Sequence, residues 1–101
     1  MKNKVFKINN NIDNLKKLDF RHIGDGIYVH DFPCYRWNGF VTIIGRLTAY
    51  DDDNNVLIDI YQEDGNPYAP YYRNDNSEVV AIIISNIKKE LKKCGIKITN
   101  N

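Results

Sequence analysis

The sequence predicts an α+β fold: an antiparallel sheet of three to five strands, an amphipathic helix over residues 77–94 on one face, and a short N-terminal helix over about residues 10–18. Two patterns carry the prediction. Val80, Ile83, Ile84, Ile87, Leu91 and Cys94 recur at helical spacing, with Val79 and Ile82 widening the stripe at its start. Residues 39–50 and 56–63 read as two strands around Asp51-Asp52-Asp53-Asn54-Asn55, a turn composition. With 101 residues and 43% hydrophobic content, the chain suits one α+β domain, 1–101, with a core of its own.

The long helix has local signals at both ends. Asp75 or Ser77 can cap it, and Asp75 with Glu78 resembles a capping box. Lys88, Lys89, Lys92 and Lys93 crowd the C-terminal turns, where cations suit the helix dipole, and Gly95 is a natural stop. Ile82, Ile83 and Ile84 are β-branched and weak helix formers, so burial of this half is expected to offset their propensity. Ile96 and Ile98 suggest a short closing strand.

The hairpin admits a register. If Ala49 faces Val56, then Leu47 faces Ile58 and Gly45 faces Ile60 on one side. Thr48 then faces Leu57, Arg46 faces Asp59 and Ile44 faces Tyr61 on the other. This collects the aliphatic residues on one face and sets opposite charges across the strands; a one-residue slip would mix the faces. Val5, Phe6 and Ile8 suggest an opening strand, and Asn10 or Asn11 can cap a helix carrying Ile12, Leu15 and Leu18. Gly24-Asp25-Gly26 reads as a turn before a strand from Ile27 that Pro33 is expected to end. Residues 64–76, with two prolines and a glycine, read as a loop without helix or central strand.

Net charge is +1, unevenly spread. Residues 1–24 carry six basic and two acidic groups, residues 50–78 carry eight acidic groups against Arg73, and residues 79–101 carry five lysines against Glu90. An acidic centre between basic ends makes a dipolar surface and speaks against a nucleic-acid module built on the terminal lysines, for which no binding motif is present. No apolar run is long enough for a membrane span or signal peptide, so a cytoplasmic location is expected, with Cys34 and Cys94 as reduced thiols.

No nucleotide loop, nucleophile elbow or paired-carboxylate pattern is present, and no catalytic residue is assigned. Asp51, Asp53 and Asn55 imitate the start of a calcium loop. Val56 then stands where glycine is needed and Gln62 where a bidentate Glu belongs, so no metal is expected. The spacing of His22, His30 and Cys34 matches no zinc signature, and nothing asks for a cofactor.

The sharpest lead is the segment with Tyr68, Tyr71, Tyr72 and Arg73, since tyrosine and arginine are enriched at binding hot spots. The competing reading is that these rings shelter core surface. Trp37, Tyr35 and Arg36 pose the same question.

The first functional expectation is a small non-enzymatic protein-binding module, by analogy with inhibitors, immunity proteins and phage-type antagonists. It would use the acidic hairpin side (Asp51, Asp52, Asp53, Asp64) and the Tyr/Arg loop against a partner with a basic surface. The rival is a small enzyme or small-ligand protein with a pocket beside residues 64–76, using His22, His30 and Asp31. Both hairpin faces carry apolar residues and the long helix covers only one, so a homodimer through the other face is a further expectation.

Overall fold

Ser77 starts the long helix. Its Oγ accepts from the Val80 N–H (3.2 Å) and its carbonyl from the Ala81 N–H (3.1 Å), the geometry of an N-cap. The computed structural model describes residues 4–8, 19–50, 55–93 and 96–97. Along them run β1 (Lys4–Ile8), β2 (Arg21–Gly24), β3 (Ile27–Trp37), β4 (Phe40–Tyr50), β5 (Asn55–Gln62), α1 (Ala69–Tyr72), α2 (Glu78–Lys93) and β6 (Ile96–Lys97). The strands form one antiparallel sheet in the order β2-β3-β4-β5-β1-β6. The α+β class is as expected, and the six strands exceed the expected three to five by one. The short helix expected near residues 10–18, Cys94 and the run Asp51, Asp52, Asp53 lie outside the described residues.

The β4–β5 register matches the sequence reading at every pair named above, from Ile44↔Tyr61 to Ala49↔Val56. Its physical reason is visible in the burial. Ile43, Leu47, Ala49, Val56, Ile58 and Ile60 are all buried on the face that α2 covers, with Ile83, Ile87 and Leu91 above them. Gly45 belongs to the same face. A Cβ there would lie 2.5 Å from Phe32 Cζ and 2.8 Å from Cys34 Sγ, so the missing side chain is what lets the Phe32 ring cross β4. The helix is pinned to β3 by polar contacts as well: Asn86 Nδ2 donates to the Cys34 carbonyl (2.7 Å), and His30 Nε2 meets Glu90 Oε2 at 2.6 Å.

Five local expectations are corrected. Pro33 does not end its strand. β3 continues to Trp37 through register shifts on either side of Tyr35, and β2 pairs with β3 only as far as Val29, so no described neighbour on that edge needs the missing Pro33 N–H. Residues 64–76 contain a helical turn, α1, where Pro70 suits the first positions of a helix. Asp75 bonds Arg73 (3.1 Å) and leaves the capping to Ser77, so the proposed capping box is not formed. Of the three isoleucines only Ile83 is buried, because Ile82 and Ile84 flank the stripe and face water.

The fifth concerns Arg46, which stands opposite Asp59 as expected but gives its guanidinium to Asp31 on the other neighbouring strand. Nε meets Oδ1 at 2.7 Å and Nη2 meets Oδ2 at 3.1 Å. This fork-to-carboxylate pairing is geometrically the best available to arginine. Arg21 Nη2 adds a 3.1 Å contact to the same carboxylate. The face turned away from α2 thus carries an ion-pair ladder, with Ile44, Leu57 and Tyr61 only half-buried.

Candidate functional site

The tyrosines of residues 68–72 turn toward the protein. Described pairing of β1 with β5 stops at Lys4↔Ile58, and the next stretch of β5 edge has no strand partner among the described residues. The Tyr segment takes its place. The Ile60 N–H donates to the Tyr72 hydroxyl (2.9 Å), and the Ile60 carbonyl accepts from the Tyr68 N–H (3.0 Å). Tyr61 bridges Pro67, and Tyr71 enters the core, edge-on to Tyr72 with ring centroids 5.1 Å apart. Burial pushes the Tyr71 phenol far above its ordinary range, with smaller pushes from Tyr72, Cys34 and Asp59. Of the four residues nominated in this loop, Tyr71 and Tyr72 are therefore cover for the sheet, as the competing reading held. Tyr68 is half-buried, and Arg73 is exposed and paired with Asp75.

The proposed histidine–aspartate pocket does not assemble. His30 and Asp31 are consecutive on a strand and so face opposite sides of the sheet. His30 lies under α2, stacked against Phe20 and Phe32 at centroid distances of 5.2 and 6.1 Å and bonded to Glu90. Asp31 lies on the other face with Arg46 and Arg21, and His22 is exposed, stacked on Tyr28. The sequence offered no hint of the His30–Glu90 contact, which joins residues sixty positions apart.

Cys34 is fully buried and unbonded to another cysteine. Desolvation, reinforced by the nearby Glu90 charge, pushes its thiol up to about 12, the opposite of what a nucleophile needs. No group of three or more His, Cys, Asp or Glu suited to a metal ion occurs among the described residues.

The exposed aromatic side chains are elsewhere. β3 and β4 are joined by Asn38-Gly39, with φ of 51° and 83°, the left-handed pair that a tight two-residue hairpin turn requires. Trp37 and Phe40 flank the turn as cross-strand partners, 63% and 74% exposed. An Asn-Gly pair between strand residues is a strong hairpin signal, and it was the signal that could have found this tip.

Beside the tip lies a groove of about 450 Å³, walled by Tyr35, Trp37 and Tyr68, floored by Ile43 and Val79, and edged by Glu63 and Asp64. It draws on both aromatic segments that the sequence singled out. A second groove of about 360 Å³, between Arg36, Ile82 and Asn86, adjoins it through Tyr35. Hydrogen bonds set the backbone of the groove's acidic edge. Gln62 N–H donates to Asn66 O (2.7 Å), Gly65 N–H to Gln62 O (2.8 Å), and Glu63 N–H to Thr42 O (3.1 Å). Asp64 caps its own turn by accepting from the Asn66 N–H at 3.0 Å.

No helix among the described residues is long and apolar enough to cross a membrane. Comparisons with protein families, with curated proteins and with solved structures find no match.

Proposed function

We propose that this chain is a protein-binding module that engages its partner through the Trp37–Phe40 hairpin tip and the groove beside it. The observation that carries the reading is the outward display of two large aromatic rings on a two-residue turn. Such rings gain little for the fold while exposed, and large aromatics are the commonest energetic anchors of interfaces. A tight hairpin presents them with little conformational freedom left to lose on binding. Tyr68 and Asp64, nominated from the sequence, contribute from the groove, while Tyr71 sits in the core and Tyr72 packs against it.

The work of such a module is to occupy a surface on another protein, as inhibitors, immunity proteins and phage-type antagonists do, and that analogy sets the class we favour. We place the binding in the cytoplasm, where the free Cys34 thiol persists. The test is affinity capture from the native host with the parent chain and with a Trp37→Ser/Phe40→Ser variant whose circular dichroism matches the parent. Proteins retained by the parent and lost by the variant support the reading. Retention of the same proteins by both overturns it.

A further inference from the structure

We infer that the groove beside the hairpin tip accepts a lysine or arginine side chain from an extended basic segment of a protein partner. The inference rests on the binding reading above and names the chemistry of its contact. Three aromatic residues, Tyr35, Trp37 and Tyr68, wall the groove, and Glu63 and Asp64 edge it. Aromatic faces carry negative quadrupole density and attract cations, tryptophan most strongly. Carboxylates beside such faces add direct charge complementarity.

No lysine, arginine or histidine is among the described lining residues, so the groove they form is acidic without a counter-charge of its own. Asp31, Asp75 and Glu90 show the contrast: each meets a cation of its own chain. Glu63 has no ion pair or side-chain hydrogen bond to any described residue, and the Asp64 carboxylate contacts only the neutral Asn66 amides, at 3.0 and 3.2 Å. Among the described residues no cation neutralises the charge on this edge.

The floor fits the same occupant. Ile43 and Val79 offer apolar surface to the methylene stem of a long basic side chain, while its charged head reaches the carboxylates. An acidic side chain would meet repulsion at the edge. The backbone bonds around the 62–66 turn and the Asn66 contacts hold the Asp64 carboxylate in place before any ligand arrives, which limits the ordering cost of binding there.

Trp37 is the only tryptophan in the chain, so its fluorescence reports directly on this groove. Full-length protein is titrated with a short arginine peptide and, separately, with a glutamate peptide of the same length. The arginine peptide is expected to change Trp37 emission saturably and the glutamate peptide to leave it unchanged. In the Glu63→Gln/Asp64→Asn variant, which keeps the side-chain shapes, the apparent dissociation constant is expected to rise about tenfold.

An unresponsive Trp37, an equal response to both peptides, or undiminished binding by the variant overturns the inference. So does a response to phosphatidylglycerol vesicles in place of the peptide, which would assign the tip to a lipid surface. Loss of host-protein capture in Trp37→Ser/Phe40→Ser together with a silent arginine titration would leave the tip as the binding site and remove only its cationic ligand.

Discussion

Tyr71 and Trp37 are both large aromatic residues close to a turn, yet Tyr71 is 2% exposed and Trp37 63%. The difference follows from what each turn must do for its neighbouring strand. The 64–72 segment lies along a stretch of β5 edge without a described strand partner, and it supplies the hydrogen bonds for both backbone groups of Ile60. Its rings are drawn inward with it. The Asn38-Gly39 turn only reverses the chain between two strands already paired with each other, so its flanking rings have no core to enter. Aromatic content alone therefore does not mark a binding surface; the hydrogen-bond demands of the adjacent backbone decide which way the rings face.

The sharpest way to break this comparison is to truncate the inward ring. Tyr71→Ala should cost about 3–5 kcal/mol, the usual range for emptying a core aromatic site. The readout is the urea midpoint at constant slope. A loss below about 1 kcal/mol would place Tyr71 among ordinary surface substitutions and undo the assignment of this segment to the core.

A smaller effect is expected at Gly45, where the added methyl of Gly45→Ala would meet the Phe32 ring and the Cys34 sulfur. Overpacking of this kind costs about 1–3 kcal/mol. Pairing it with Phe32→Leu, which removes the ring Cζ, should recover part of the loss. No recovery in that double variant would mean that Phe32 is not what crowds position 45.

The ion-pair ladder on the opposite face predicts a pH effect. The hydrogen bond from Arg46, aided by the charges of Arg46, Arg21 and His30, outweighs desolvation and holds the Asp31 carboxyl below its ordinary value of 3.8. A carboxyl whose folded value is depressed stabilises the fold above its unfolded value, and that contribution is lost as pH falls through the folded value. Stability should therefore drop below about pH 4, and Asp31→Asn should flatten the decline. Urea midpoints at neutral pH and near pH 3 measure both. An equal acid decline in parent and variant would show that other carboxyls govern it.

Legibility from sequence followed the range of the interactions. The β4–β5 register was readable because its alternation leaves one arrangement that gathers Leu47, Ile58 and Ile60 on one face. The α2 stripe was readable for the same reason, in a period of 3.6. The passage of β3 through Pro33 was not, since tolerance of a proline depends on whether a neighbouring strand needs its N–H, and that is a property of the sheet. Nor were the His30–Glu90 contact and the partner choice of Arg46, which depend on which elements come to lie side by side. Half of the candidate site was in view, since Tyr68, Asp64, Tyr35 and Trp37 had been singled out. Their convergence was hidden because it needs the 62–66 turn to bring one segment against the end of the other.

The outward rings give the smallest expected change in stability and the most direct test of the account. The measurement is the unfolding free energy, by urea titration, of Trp37→Ser/Phe40→Ser against the parent chain. If the tip is held for binding and contributes little to the fold, the variant should lose less than about 1 kcal/mol, the scale of a single cross-strand pair. A loss of about 3 kcal/mol or more would show these rings sheltering core surface as Tyr71 does, and would contradict the account.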